Sequence, residues 1–265
     1  MSSDGSIVLM YHELEVPGRR LWDDHRGYTR YAVRKSDFEE QVAVLRTNGF
    51  MGTNVSYPML ICDSRPAHVA ITFDDGCETD LITAAPVLLA AGFQATFYLV
   101  ADWVGMRGHL SGSQVRELVR LGFEVGSHSV THAFLTTLST NKVRHELVES
   151  KKRLEQITGD VVQHFSCPGG ACDDRVAQLA QEVGYITLAT SRAGKNARGA
   201  FQLSRVAVTR HTRSREILKL CSGQRLLRRQ IRAAILNRTR AALGFSGYER
   251  IRSYILDLGH GDSFK

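Results

Sequence analysis

Long uncharged apolar runs are missing from this 265-residue sequence. The opening MSSDGSIVLMYH has no basic start and only a short apolar stretch before His12. It reads as neither a signal peptide nor a membrane span, and a cytoplasmic setting is expected. Cysteine is scarce as well: Cys62, Cys77, Cys167, Cys172 and Cys221 are an odd number with no CxxC pair, which argues against a disulfide framework. No GxGxxG or GxxxxGK stretch follows the early strand-like segments, so the usual phosphate loops are excluded. Groove-reading and zinc-finger motifs are absent too, and nucleic-acid binding is disfavoured. What remains is 43% hydrophobic and 23% charged, an ordinary globular composition with ample chain for a large core.

Charge divides the chain unevenly. Between Arg210 and Arg252 stand twelve Lys/Arg against Glu216 and Glu249, a local net of +10, while the remainder carries 22 basic and 25 acidic residues. The overall +7 therefore describes an appendage, and a division into residues 1–215 and 216–265 is expected. Before that division, a unit repeats: an apolar β-branched run, polar residues, then a helical pattern closed by glycine. The spacing predicts strands at 69–73, 95–100, 123–126, 163–166, 185–190 and 205–209. Helical patterns end at Gly92, Gly122, Gly159 and Gly184, and Ser36-Asp37-Phe38-Glu39 reads as a capping box opening a helix stopped by Gly49. Strands alternating with helices imply parallel pairing and right-handed crossovers, and their number favours a (β/α) barrel, incomplete or distorted, over an open sheet.

In such a fold the active site lies at the carboxyl ends of the strands. That rule selects Asp74-Asp75-Gly76, Ser127-His128-Ser129-Val130-Thr131-His132, and Cys167-Pro168-Gly169-Gly170. Adjacent carboxylates repel, so Asp74 and Asp75 call for a cation, a proton or strong hydrogen bonds, unless DDG is simply a turn. His128 and His132 stand at i and i+4, and one helical turn there would face both imidazoles the same way. Two imidazoles with one carboxylate suit zinc, nickel, cobalt or iron and leave coordination positions open.

The strings ITFDDG, GFEVGSHSVTH and FSCPGG resemble the first three motifs of the polysaccharide deacetylases, the NodB-like carbohydrate esterase family 4. The resemblance extends over most of residues 6–209, including IVLMYH, SDFEEQVAVL, AAPVLLAAGFQATFYLV and LSRVAV. It implies that Asp75, His128 and His132 bind a divalent metal, zinc first among the candidates. Asp74 is then the general base, and the Gly169 backbone N–H after Pro168 steadies the oxyanion. The substrate implied is a glycan or amino sugar, with Pro168 and Tyr11 beside it. Two departures stand out. Ser166 occupies the place of an arginine that orients the base in many members, and no late Leu-x-His supplies a general acid. A branch resembling the biofilm poly-N-acetylglucosamine deacetylases moves that motif to the N-terminus, which implies His12, after Leu9-Met10-Tyr11, as the acid.

The reading that follows is a metal-dependent deacetylase of N-acetylhexosamine units in a polysaccharide or glycoconjugate precursor. Competing with it are a degenerate glycan-binding scaffold and a deacylase of O-acetyl, formamide or small non-sugar amide substrates. Within the tail, Leu227, Ile231, Ala234, Ile235 and Ala242 share one helical face, with Arg225, Arg228, Arg229, Arg232 and Arg240 largely opposite. Residues 216–243 are expected to pack on the barrel as a basic amphipathic extension or, second, to lie on an anionic membrane that presents a lipid-linked sugar.

Overall fold

The computed structural model describes residues 5–57, 67–224 and 226. The runs that read as strands are buried on both faces, as parallel strands covered by helices must be. They are β1 (Ile7–Tyr11), β5 (Ala67–Phe73), β6 (Thr96–Leu99), β7 (Glu124–Ser127), β8 (His164–Ser166) and β9 (Thr187–Ala189). Two short strands end the series, β10 (Gln202–Leu203) and β11 (Val206–Ala207), and β4 (Phe50–Thr53) pairs with the first half of β5. The order across the sheet is β10-β9-β8-β7-β6-β5-β1-β11, parallel throughout. Because β10 lies on β9 while β11 lies on β1, residues 202–207 run along both edges and curl the sheet into an incomplete (β/α) barrel.

The helices are α1 (Arg26–Thr29), α2 (Lys35–Thr47), α3 (Ala85–Ala91), α4 (Gly112–Arg120), α5 (Thr140–Thr158), α6 (Asp174–Glu182) and α7 (Ser214–Cys221). A π-helical turn at Asp80–Ala84 leads into α3. Glycines in left-handed conformation close α3 at Gly92 and α5 at Gly159, as the sequence pattern predicts. The Ser36 capping box is corrected: α2 starts at Lys35, with Arg34 as an N-cap that makes no side-chain bond, so Ser36 is already inside. A capping box does form at Ser111 and Gln114, opening α4. Among the described residues no helix is long and apolar enough to cross a membrane.

Alternation along each strand separates two interiors. Leu9, Tyr11, Ile71, Phe73, Phe97, Leu99 and Leu188 point outward into the main core under the helices. Val8, Ala70, Tyr98, Ala189 and Leu203 point into the barrel with Val55. Gly126 faces that lumen, and a Cβ there would come within 2.5 Å of the Tyr98 ring. At the amino ends of the strands the lumen is filled by a polar cluster of Ser56, Thr96, Glu124, His164 and Thr187. Of the basic extension, α7 and Leu226 are described; Ile217, Leu220 and Leu226 are buried in the main core. The continuous 216–243 helix is corrected at its start, since α7 ends at Cys221 in a turn over 222–224; residues 225 and 227–243 lie outside the described residues.

Candidate active site

Four strands deliver the chemistry from their carboxyl ends. β1 runs into His12, β5 into Asp74 and Asp75, β7 into His128, and β8 into Cys167-Pro168-Gly169. Alternation decides which side chains reach the mouth. Met10 and His12 line a cavity of about 250 Å³ together with Asp74, Asp75, His128, His132, Gly169 and Gly170. Tyr11, one residue out of phase, points the other way: its ring stacks on Phe73 at 5.2 Å and its hydroxyl donates to Gln41 Oε1 at 2.9 Å. Its expected place beside the substrate is therefore corrected to the outer core. Pro168 is buried in the turn, and the two glycines after it face the cavity instead.

Asp75 Oδ1 lies 3.6 Å from His128 Nε2 and 3.6 Å from His132 Nε2. The three donor atoms form a tight cluster at the base of the cavity. Such separations are close to the edge of a tetrahedron around an ion with ligand bonds of about 2.1 Å. The His128 Nδ1–H donates to the Ser166 carbonyl at 2.8 Å, which fixes the tautomer and leaves Nε2 as the free lone pair. Burial pushes His128 down to about 3 and lowers His132, so both imidazoles are neutral donors near pH 7. Asp75 moves the opposite way, pushed up to about 6 by burial, with His12 opposing and Asp74 adding to the rise. The set fits a divalent cation: neutral nitrogens, and a carboxylate whose buried charge lacks a cationic hydrogen-bond partner among the described residues.

The helical turn that would face His128 and His132 the same way does not form. Ser129 and His132 adopt positive φ, 70° and 61°, and the segment is an irregular loop that still brings the two rings to 4.9 Å. What holds it is Glu146, a buried carboxylate on α5 that accepts from Val130 N, Thr131 N and Thr131 Oγ1 at 2.7–3.0 Å. Ser129 Oγ accepts from His132 N at 3.0 Å and closes the turn. Sequence reasoning missed Glu146. The available signal was an acidic residue on the apolar face of α5, beside Val143, Leu147 and Ser150.

Asp74 is gripped by Arg205. The fully buried guanidinium donates through both terminal nitrogens to Asp74 Oδ1 and Oδ2, each at 2.7 Å, and also to Ser166 Oγ at 2.8 Å. Burial would raise the Asp74 pKa, but Arg205 and then His128 outweigh it and hold the carboxyl well below the usual range. Arg205 lies between β10 and β11, in the LSRVAV stretch, and its partner is 131 residues away. The place left by the arginine missing at Ser166 is thus filled from the segment between β10 and β11, with the Ser166 hydroxyl as its companion.

Residues 12–34 form the outer wall. β2 (Leu14–Glu15) pairs with β3 (Val33–Arg34), and the intervening loop brings His25, Gly27, Tyr28 and Tyr31 to the cavity. Tyr31 packs against the His12 ring at 5.0 Å, and His12 Nδ1 is buried with no hydrogen-bond partner among the described residues. Glu13 anchors the wall by accepting from Trp22 N and Tyr28 Oη, each at 2.9 Å. The turn after β8 is equally constrained: Gly169 has φ 62°, and a Cβ on it would come within 2.2 Å of Phe134.

A family model described as polysaccharide deacetylase matches residues 63–188. The protein YxkH of Bacillus subtilis is 29% identical over 208 residues, which is 76% of this chain and 71% of that one. A peptidoglycan-N-acetylglucosamine deacetylase of Bacillus cereus is 30% identical over 121 residues, 45% of this chain and 54% of that protein. The structure of Streptococcus pyogenes deacetylase PplD in complex with acetate shares the fold, with a TM-score of 0.71 at 22% identity, over 82% of this chain and 98% of that one.

Proposed function

We propose that the chain, whose residues 63–188 match a polysaccharide deacetylase family model, hydrolyses the acetamide of N-acetylhexosamine units in a polysaccharide or glycoconjugate precursor, using a divalent metal. The observation that carries this reading is the convergence of Asp75, His128 and His132 beside an Asp74 locked ionised by Arg205. Asp75, His128 and His132 would hold the ion, zinc by donor preference with nickel, cobalt or iron also accommodated. Bound there, a divalent cation lowers the pKa of water toward about 7 and polarises the acetyl carbonyl.

The chain's own residues supply the rest. Asp74 accepts the proton of the attacking water; its two bonds to Arg205 fix the carboxylate plane and leave it a weak base, suited to an acidified water rather than a free one. His12, across the cavity, donates a proton to the departing sugar amine, and Tyr31 holds its ring from behind. The backbone N–H of Gly169 faces the developing oxyanion. Acetate and a free amino sugar leave.

The test combines metal content with acetate release from N-acetylglucosamine oligomers, before and after chelation and metal return. About one metal per chain with chelator-sensitive release is expected; metal without release would hand the site to an O-acetyl, formamide or small-amide substrate. Neither metal nor release would leave a scaffold, a reading motivated by Ser166 and weakened by Arg205 on the same carboxylate. Asp74→Asn should keep the metal and lose turnover, whereas His128→Ala should lose both. A peripheral role for residues 216–243 on anionic membrane, presenting a lipid-linked sugar, belongs to the same proposal and rests on their charge and spacing.

A further inference from the structure

The turn that presents the Gly169 N–H is bracketed by two thiols. Cys167 follows β8 and Cys172 precedes the Asp173 cap of α6, with Pro168-Gly169-Gly170-Ala171 between them. Their side chains hydrogen-bond to each other across the turn and pack into the same core. Both ends are anchored: Cys167 N donates to Ala189 O at 3.0 Å, and the Asp173 side chain accepts from Val176 N at 2.8 Å. The residues between them have no slack. Gly170 N donates to Cys167 O at 2.8 Å, Phe134 closes the space at Gly169, and a Cβ on Gly170 would come within 1.9 Å of Ser191 Oγ. The two sulfurs differ in the way thiol–disulfide exchange requires. Cys172 is half-buried and Cys167 fully buried. The hydrogen bond with Cys167 lowers the Cys172 pKa against burial, with Arg192 helping, while the same bond and burial raise Cys167. The outer thiol therefore ionises first.

We infer that Cys167 and Cys172 are a site of reversible disulfide formation that displaces the Gly169 N–H when oxidised. The oxidant is a low-molecular-weight disulfide, RSSR. The Cys172 thiolate attacks one of its sulfurs, the S–S bond of RSSR breaks, and the first RS⁻ leaves and takes up the proton that Cys172 gave to solvent. Cys167 then loses its proton and its sulfur attacks Cys172 Sγ; the mixed disulfide breaks and the second RS⁻ leaves with that proton. The pair has given up two electrons, and RSSR has become two RSH. A disulfide bond of about 2.0 Å is much shorter than a thiol–thiol hydrogen bond. With β8 and α6 fixed, the contraction falls on the turn and swings the Gly169 N–H away from the cavity. The strain this stores makes the bond easily reduced, so the change reverses. Its effect on turnover rests on the deacetylase reading above; the bond and the movement of the turn do not.

The full chain, reduced and then exposed to oxidised glutathione, provides the test. Two of its five thiols should be lost, with a Cys167–Cys172 link in the peptide map. Deuterium exchange at Gly170 should quicken as its N–H leaves Cys167 O. Acetate release from N-acetylglucosamine oligomers should fall roughly 100-fold and return with a dithiol reductant. Cys172→Ser should keep the reduced-state rate and lose the response, and Cys167→Ala should stop at a glutathione adduct on Cys172. The inference is overturned by a wild-type adduct that never resolves, by the absence of a link, or by a link that leaves exchange at the turn unchanged. A link with faster exchange in a chain that releases no acetate even when reduced sinks the deacetylase reading and leaves the pair standing.

Discussion

At the scale of single residues the site is governed by how buried charge is compensated. Asp74 and Asp80 share burial and differ in fate. Asp74 has a bidentate guanidinium, whereas both Asp80 oxygens are buried without a hydrogen-bond partner among the described residues. Burial first, then Asp75, Glu13 and Asp74, raise the Asp80 pKa well above the ordinary value, which favours its protonated form in the fold. A folded pKa above the unfolded value of about 3.9 means stability fully present at low pH and lost as pH rises toward the folded pKa. Asp80→Asn should therefore gain stability relative to the wild type as pH rises from 4 to 7; urea melts across that range would show it, and a variant that loses ground to the wild type between pH 4 and pH 7 would refute it. Replacing the fork instead tests Asp74. Arg205→Lys keeps a charge but loses the planar pair, so kcat should fall about 10- to 100-fold. The acidic limb of the kcat/KM profile should move to higher pH, a shift that a merely structural role would not produce. Asp74, Asp75, His128 and His132 are legible in the sequence because each motif sits on consecutive residues after one strand. Arg205 is not, because its partner is chosen by barrel closure over 131 residues.

At the scale of elements, the strands carrying the site announce themselves, since a parallel strand covered on both faces must be a continuous apolar run. β4, β2 and β3 do not: β2 and β3 are two residues each, and β4 is specified by its pairing with β5 rather than by its own Phe-Met-Gly-Thr. The Ser36 pattern misleads for a related reason. Lys35 is already helical because β3 delivers the chain in extended geometry at Arg34, so tertiary placement overrides the capping preference. The His128–His132 loop is the sharpest case, because its ligand geometry is legible as a spacing while its conformation is imposed from outside by Glu146 on α5. Three hydrogen bonds accepted by one buried carboxylate hold a backbone with two non-glycine residues at positive φ, a conformation costing on the order of 1–3 kcal/mol each. Glu146→Gln preserves shape and lacks the charge and one acceptor. Metal affinity should drop about 10- to 100-fold although Glu146 is not among the three donors. Competition with a chromophoric chelator measures this, and unchanged affinity would mean the loop holds itself.

At the scale of the whole molecule, the barrel mouth collects more negative charge than its own cations balance. Glu13, Asp74, Asp75 and Asp80 are each no more than 6% exposed, and the buried arginine is committed to Asp74. Burial is the largest influence raising Glu13, Asp75 and Asp80 alike, so in the metal-free fold each of these charges is disfavoured relative to the unfolded chain. A divalent cation on Asp75 would displace its proton, and metal binding and folding become linked equilibria. The pH dependence follows from which native groups still carry a proton. His128, at about 3, is already a free-base ligand at pH 5, whereas Asp75, at about 6, is still largely protonated there. The competition for the native site is therefore led by the Asp75 proton, with His128 not competing and His132 shifted downward. Metal affinity of the folded chain should rise about tenfold per pH unit up to pH 6 and flatten above it. In melting experiments the same metal excess should then stabilise the protein more at pH 7 than at pH 5, reaching about 4 kcal/mol at a thousandfold excess over Kd. An affinity that instead climbs through pH 6.5, with two protons released, would mean that the histidines bind protons in the native metal-free state, and that their burial does not hold them neutral.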